Sequence, residues 1–125
     1  MRLKFLLLVL LLTGCAMPHS EAGETGSSQE SVAGDAALIE LGRVTFRSAG
    51  CVACHRREGL GGTDGPDLDA LAGTSDPTYV RESILEPKAR ILPGYEGIEM
   101  PGNYGEMLSE PEIDALQYYL SNRLK

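Results

Sequence analysis

The stretch Cys51-Val52-Ala53-Cys54-His55 sets the chemistry expected of this chain. Its two thiols stand three residues apart, on one turn of a helix, and an imidazole follows directly. This spacing allows each thiol to add to one vinyl group of a haem, while the histidine presents its ring to the iron from one side. The C-x-x-C-H pattern therefore predicts covalent attachment of haem c.

A bare C-x-x-C pair also occurs in redox dithiols and in half of a zinc site. A zinc site needs further cysteine or histidine ligands, and the remaining candidates are Cys15 and His19, both close to the N-terminus. A thioredoxin-like dithiol lies at a strand–helix junction, whereas the flanks here have helical patterns and many glycines. Both alternatives fit the sequence less well than haem c.

The composition of the chain argues against several classes of protein. The 125 residues suffice for one domain with a tail, and 18 acidic against 11 basic residues give a net charge of -7. An acidic protein is a poor candidate for nucleic-acid binding, which needs basic groups to replace counterions, or for a polybasic membrane-surface module. Trp is absent and Phe occurs twice, so a haem would supply much of the apolar interior.

Residues 1–14 are predicted to form an export signal. Arg2 and Lys4 provide the positive start, and Phe5–Leu12 is an unbroken apolar run. Such a run suits the apolar part of a signal peptide, but it is too short for a membrane span, which needs about 20 apolar residues. We therefore expect the folded part of the chain outside the cytoplasm.

The tetrapeptide Leu12-Thr13-Gly14-Cys15 ends this signal and resembles the lipobox of bacterial lipoproteins. In that family the signal is cut before the cysteine, whose sulfur receives a diacylglycerol. The resemblance implies that Cys15 is a lipidated N-terminus and anchors the protein to a bacterial membrane, on its periplasmic or extracytoplasmic side. The alternative is an ordinary signal cleaved near Ala16, which would remove Cys15.

Residues 16–34 show no apolar period and consist mainly of Gly, Ser, Glu and Ala. This composition predicts a flexible linker. Residues 15–34 are thus expected to be a lipidated N-terminus with its linker, and residues 35–125 the folded domain. Met17 and His19 fall in the linker and are interpreted as solvated residues.

Two helices are predicted in the first two thirds of the domain. Asp35 can cap a helix over residues 36–48, and Asp76 can cap one over residues 77–86. On the first, one face carries Leu38, Leu41 and Thr45, and an adjoining face carries Gly42 and Phe46. On the second, the side chains expected to face the core or the haem edge are Tyr79, Val80, Ser83 and Ile84.

A further helix is predicted to close the chain. Ser109 and Glu112 form a capping box at its start, and Pro111 occupies the first turn, where a missing N–H costs little. Its apolar stripe comprises Ile113, Leu116, Tyr119 and Leu120. Arg123 and Lys125 are expected at its negative end.

The flanks of the haem motif resemble class I c-type cytochromes over about residues 35–125. The matching motifs are G-x-x-x-F at Gly42–Phe46, G-P-x-L at Gly65–Leu68, M-P at Met100-Pro101, and the closing run Ile113–Leu120. The resemblance implies an all-α fold of three to four helices, with long loops wrapped around one covalently bound haem c. It also implies that Tyr119 packs against Gly42 and Phe46 where the first and last helices cross.

The same resemblance implies roles for the residues of the haem site. Cys51 and Cys54 would hold the haem, and His55 would be the proximal ligand of its iron. The carbonyl of Pro66 would accept a hydrogen bond from Nδ1–H of His55, which fixes the ring and raises its basicity.

Two methionines compete for the sixth coordination position. Met100 lies in an extended, proline-flanked loop that can place a thioether across the distal face. Met107 stands near the last helix and is expected to pack in the core. We predict Met100 as the ligand, with Met107 or an open or water-bound position as the alternatives.

A His–Met iron has no vacant position for a substrate, so the predicted function is one-electron transfer by a protein that is not itself an enzyme. Its expected partners are a donor and an acceptor redox protein, and no nucleic acid. The alternative is a five-coordinate haem c enzyme or gas sensor, which would bind carbon monoxide when reduced.

A more specific resemblance covers residues 93–105 and 108–110, which look like the cytochrome c domain fused to subunit II of haem-copper oxidases. It implies a place in a respiratory chain. The protein would serve as a shuttle or as the haem subunit of a complex such as a terminal oxidase or alternative complex III.

Four arginines cluster in sequence around the haem motif, namely Arg43, Arg47, Arg56 and Arg57. Near an exposed haem edge they would form a basic docking patch that orients a redox partner. The alternative is a set of solvated arginines that balance the haem propionates and nearby carboxylates. Tyr95 and Tyr104 also have two possible roles: each could pack in the core or donate a hydrogen bond to a haem propionate.

Overall fold

The computed structural model describes residues 26–124, with side chains from residue 32 onward. Over these residues the chain forms five α-helices, a 3-10 turn and a two-stranded antiparallel ribbon. The elements in chain order are α1 (Gly26–Ser48), the 3-10 turn (Cys51–Ala53), β1 (Arg56–Arg57), β2 (Leu60–Gly61), α2 (Leu68–Leu71), α3 (Pro77–Leu85), α4 (Tyr104–Met107) and α5 (Glu110–Ser121). The all-α class predicted from the sequence is confirmed. The short helices α2 and α4 add to the three that local patterns predict.

Some predictions fall on residues outside this range. They are the export signal over residues 1–14, lipidation at Cys15, the linker as far as residue 25 and the position of Lys125. These stay predictions.

The first helix begins earlier than predicted. α1 starts at Gly26, so residues 26–34 of the predicted linker are helical, and Asp35 lies inside the helix rather than at its N-cap. The side chains of residues 32–37 are exposed, so this described part of the helix lies outside the buried core. Gln29, Glu30 and Ala33 are good helix formers, although they stand beside two glycines and three serines. The extension can form because it continues a helix that the packed part of α1 has already nucleated.

The close crossing of α1 and α5 occurs at Gly42. A Cβ at this position would lie 2.4 Å from the carbonyl oxygen of Ala115 and 2.4 Å from Cβ of Tyr119. One turn along α1, the ring of Phe46 meets that of Tyr119 edge-on, with 6.0 Å between centroids. The predicted packing of the last helix against Gly42 and Phe46 is confirmed.

The inward face of α1 differs in part from the prediction. Thr45 is buried and Leu38 is half-buried, but Leu41 is exposed. Ile39 packs against the core instead. The core lies on the side of α1 that carries Phe46, and Ile39 stands two turns before Phe46 on that side.

The helices α3 and α5 form where predicted. Asp76 caps α3, since its Oδ1 accepts from the N–H of Thr78 at 2.9 Å, and the helix ends at Leu85. At the start of α5, the carboxylate of Glu112 accepts from the N–H of Ser109 at 2.8 Å and from its hydroxyl at 2.6 Å. The capping box is therefore present, and it also lowers the pKa of Glu112.

A short ribbon that the sequence analysis treats as loop follows the haem motif. β1 and β2 pair Arg57 with Leu60, and the turn between them holds Glu58 in a left-handed conformation, with φ 53°. The carboxylate of Asp69 accepts from the N–H groups of Glu58 and Gly59 at 2.8 Å each. The sequence signal is weak because a stretch this rich in glycine is typical of loops.

The core lies between α1, α3, α4 and α5. Its buried cluster consists of Phe46, Ile84, Tyr104, Leu116 and Tyr119. Half-buried side chains pack around it, among them Val52 of the 3-10 turn, Val80 of α3, and Met100. Within residues 26–124, no helix is both long enough and apolar enough to cross a membrane.

Candidate haem site

A cavity of about 740 Å³ opens beside the core cluster. This volume lies within the usual range of about 300–1,000 Å³ for pockets that enclose a cofactor or ligand. The lining is mostly apolar and comes from the end of α1, the 3-10 turn with His55, the segment around α2, the inner face of α3, the loop between α3 and α4 with Tyr104, and α5. The four α3 side chains predicted to face the core or the haem edge, Tyr79, Val80, Ser83 and Ile84, all line it.

The two thiols of the C-x-x-C-H motif lie on one turn at the cavity wall. Cys51 and Cys54 are both free and half-buried, and both line the cavity. The turn is held by backbone bonds from N–H of Cys54 to the carbonyl of Cys51 at 3.2 Å, and from N–H of His55 to the same carbonyl at 3.0 Å. Burial raises the pKa of the Cys51 thiol, so this group is protonated at neutral pH.

The imidazole of His55 is oriented by a backbone acceptor. Its Nδ1 lies 3.0 Å from the carbonyl oxygen of Pro66, and since a carbonyl only accepts, Nδ1 carries the proton and donates. The other ring nitrogen, Nε2, is then unprotonated and free to bind a metal. The structure therefore has the hydrogen bond between Pro66 and His55 that the sequence analysis expects.

Gly65 allows this ring to lie against the chain. A Cβ on Gly65 would fall 2.5 Å from Cε1 and 2.7 Å from Nδ1 of His55, which is closer than any side chain can approach. Gly65 belongs to the G-P-x-L motif, but the motif alone does not indicate its role. Only the folded position of the His55 ring reveals why a side chain is excluded there.

The two candidate methionines occupy different environments. Met100 is half-buried, lines the cavity and packs against the core cluster. Met107 is 57% exposed and is not among the residues that line the cavity. The expectation that Met107 packs in the core is wrong, because Tyr104 and Leu108 take the inward positions next to it.

The two tyrosines left open by the sequence analysis both line the cavity. Tyr104 is buried and belongs to the core cluster. Burial raises the pKa of its phenol, so the hydroxyl keeps its proton at neutral pH. Tyr95 is half-buried in the loop between α3 and α4.

The arginines around the motif do not gather at the cavity, and none of the four lines it. Arg57 is 4% exposed. Its Nη2 donates to the carbonyls of Tyr119 and Asn122 at 2.7 and 2.6 Å, and its Nη1 donates to Asp69 at 3.3 Å. A buried cation cannot meet a partner, so the prediction of a docking patch is wrong for Arg57, which instead caps the end of α5.

The neighbouring arginines are engaged in ion pairs. Arg43 donates to Glu58 through Nε at 2.7 Å and Nη2 at 2.9 Å, and it also pairs with Glu40. Arg56 pairs with Asp67 at 2.6 Å. Arg43 and Arg56 therefore fit the alternative to a docking patch, in which the arginines balance nearby carboxylates.

The donor set and the shape of the site fit a covalently held haem. The wall carries two thiols for attachment, an imidazole whose Nε2 is free, and a thioether from a separate loop, all on one apolar cavity. Within the described residues, no cluster of three or more His, Cys, Asp or Glu side chains could hold a bare metal ion. The site thus suits a metal brought in by a large apolar ring rather than an ion bound by the protein alone.

A family model described as Cytochrome c covers residues 39–123, which is more than half of the chain. This range includes the two thiols, His55, Pro66 and Met100. Neither the curated proteins nor the solved structures compared with the chain gave a match.

Proposed function

Because the chain belongs to the cytochrome c family, we propose that it is a membrane-tethered one-electron carrier whose haem iron is held by His55 and Met100. Membership of the family makes the protein a haem c electron carrier of class I. The axial ligands, the tether and the place in a respiratory chain are what the proposal adds.

The observation that carries the proposal is the position of both ligand candidates on one cavity. His55 approaches from the side of the 3-10 turn, and Met100 belongs to the separate loop between α3 and α4. Haem c, when bound, supplies a one-electron ferric/ferrous couple. A thioether ligand raises the reduction potential of that couple, because it favours the ferrous form. If His55 and Met100 both bind the iron, they would leave no open position at the metal for a substrate.

The protein's own groups prepare this site. The carbonyl of Pro66 holds His55 in the tautomer that a metal needs. Cys51 and Cys54 fix the attachment points on one turn. The lining from α3 and the core cluster is mostly apolar and would shield a bound haem from water.

The tether rests on the sequence before the described residues. An apolar signal followed by Leu12-Thr13-Gly14-Cys15 supports a lipid on Cys15 and a domain on the periplasmic or extracytoplasmic face of a bacterial membrane. A tether raises the effective concentration of the carrier near membrane partners. The resemblance of residues 93–105 to oxidase-fused domains supports a donor and an acceptor in a respiratory chain, with a terminal oxidase or alternative complex III as the complex served.

The ligand assignment is tested by optical spectroscopy of the oxidised protein. The weak absorption band from methionine sulfur to ferric iron is expected in the wild type, absent in Met100→Ala and retained in Met107→Ala. Because Met107 is exposed and lies outside the cavity wall, it is the matched control. A wild type that lacks the band and binds carbon monoxide readily when reduced would instead establish the five-coordinate enzyme or sensor.

A further inference from the structure

One cationic side chain at the cavity is held in place by two neighbours. The cations that line the cavity, within the described part of the chain, are Lys88 and Arg90. Arg90 donates from Nε to the carboxylate of Glu82 at 2.6 Å, and its Nη2 pairs with the same carboxylate. Its guanidinium carbon lies 4.5 Å from the centroid of the Tyr79 ring, a distance typical of a cation–π contact.

Among residues 26–124, the hydrogen bonds and ion pairs of Arg90 use one edge of its guanidinium. An arginine has five N–H donors, and Glu82 occupies the edge formed by Nε and Nη2. Arg90 and Tyr79 line the cavity whereas Glu82 does not. Arg90 is therefore a residue of the cavity wall, 57% exposed, and its carboxylate partner Glu82, 35% exposed, lies outside that wall.

Lys88 is arranged differently. It pairs with Glu99, and both side chains are 74% exposed. An exposed pair of this kind has little energy to hold either group in one place. Lys88 also lacks the planar fork that binds a carboxylate through two parallel hydrogen bonds.

Haem carries two propionate carboxylates, and the cavity that receives it is mainly apolar. A carboxylate moved out of water needs a charged hydrogen-bond partner. We propose that Arg90 is the partner of one haem propionate, and that Glu82 and Tyr79 position its guanidinium for that contact. This inference needs the bound haem and is independent of the tether, the axial methionine and the redox partners.

The contact has a consequence for the reduction potential. An unpaired propionate stabilises the oxidised iron, because its negative charge lies near the metal. A guanidinium bonded to it offsets that charge and keeps the carboxyl ionised over the working pH range. Loss of Arg90 should lower the potential and also bring the titration of the propionate into that range.

The test is a redox titration of the purified holoprotein between about pH 5 and pH 9. Three forms are compared, namely the wild type, Arg90→Gln and Arg81→Gln. Arg81 is the matched control, since it stands on α3, pairs with Glu110 and Asp114, and does not line the cavity. Both substitutions remove one positive charge from the same part of the molecule.

The proposal predicts a lower potential for Arg90→Gln, with a new segment in which the potential falls as the pH rises. Arg81→Gln should show no such segment. The plot of reduction potential against pH for Arg90→Gln could instead run parallel to that of Arg81→Gln, or shift without a new pH-dependent segment. Either result would mean that Arg90 acts only through its charge at a distance, and the proposed contact would be wrong.

A second variant guards against loss of the fold. Arg90→Lys keeps the charge but not the planar fork, so its curve should lie between those of the wild type and Arg90→Gln. A curve identical to the wild type would show that the charge alone matters and would contradict a bonded propionate. If Met100 is not an iron ligand, the absorption band from methionine sulfur to iron will be absent from the wild type. The dependence of the reduction potential on pH can still be compared between the Arg90 variants, so the two proposals are tested separately.

Discussion

The Nη2 atom of Arg57 lies 2.7 Å from the carbonyl oxygen of Tyr119, a residue 62 positions further along the chain. The same guanidinium stands 5.1 Å from the centroid of the Tyr119 ring. One buried arginine of the ribbon thus satisfies carbonyls that the end of α5 leaves without helical partners. It ties the segment that follows the haem motif to the helix that closes the chain.

Arg57→Ala should therefore destabilise the protein strongly. The change leaves carbonyls and a carboxylate without their buried partner, which costs about 2–4 kcal/mol in the free energy of unfolding. The neighbouring change Arg56→Ala is the control, because that side chain is 48% exposed and pairs with Asp67 at the surface. It should cost less than about 1 kcal/mol. Urea unfolding of the two holoproteins measures the difference, and equal losses would contradict the structural role of Arg57.

The crossing at Gly42 predicts opposite effects for two glycines of the same helix. Gly42→Ala would push a methyl group into the carbonyl of Ala115 and the Cβ of Tyr119, both at 2.4 Å. This overpacking should cost about 1–3 kcal/mol in the free energy of unfolding. Gly34→Ala meets nothing within 4 Å and should stabilise the helix by up to about 1 kcal/mol. Thermal unfolding of both variants tests this, and a stable Gly42→Ala would exclude the close crossing.

Glu58 predicts a pH dependence of stability. Hydrogen bonds from Arg43 and from the hydroxyl of Tyr119 hold the pKa of this carboxyl below its ordinary value of 4.5, against the opposing effect of burial. Since the pKa of Glu58 is lower in the folded than in the unfolded state, the ionised carboxylate stabilises the fold above about pH 4.5. That stabilisation is lost as the pH falls through the pKa of Glu58 in the folded state. Burial, together with the same hydrogen bond, raises the pKa of Tyr119 to about 12.

Glu58→Gln should therefore flatten the acid limb of the stability curve. Unfolding measured between about pH 3 and pH 7 should lose less stability on acidification in the variant than in the wild type. Glu40→Gln is the control, because Glu40 also pairs with Arg43 but is 63% exposed. An acid limb of Glu58→Gln as steep as that of the wild type would show that other carboxyls control the transition.

The sequence predicts those parts of the fold that depend on local or short-range signals. Asp76 and Ser109 cap their helices as local capping patterns require, and the C-x-x-C-H motif places its own thiols and imidazole on one turn. The resemblance to class I cytochromes supplies the packing at Gly42 and the bond between His55 and Pro66, which local patterns alone do not give.

The errors arise where a long-range contact decides the outcome. Arginines are mostly exposed, so nothing local to Arg57 shows that the end of α5 will bury it. Met107 is apolar, yet Tyr104 and Leu108 take the inward positions beside it. The early start of α1 is an error of a different kind, since no long-range contact is needed and a polar composition suits both a linker and an exposed helix.

The proposed tether predicts where the protein is found. With wild-type Cys15 the haem absorbance should fractionate with membranes, and Cys15→Ala should release it to the soluble fraction, because the lipid supplies the anchoring energy. Ala16→Ser serves as the control and should leave the protein with the membranes. If wild type and Cys15→Ala are both soluble, the signal is an ordinary one and the lipid anchor is absent.

Gly65→Ala tests how the chain orients the proposed proximal ligand. The added methyl group would lie 2.5 Å from Cε1 of His55, so the ring must shift and its bond to the carbonyl of Pro66 must weaken. An imidazole that donates less to a backbone acceptor is a weaker ligand for the oxidised iron, so the reduction potential should rise, together with a loss of about 1–3 kcal/mol in stability. Gly102→Ala is the matched control, since its methyl group would meet only the ring of Pro87, at 3.9 Å or more. If both variants keep the wild-type potential, the close packing of Gly65 against His55 does not tune the iron.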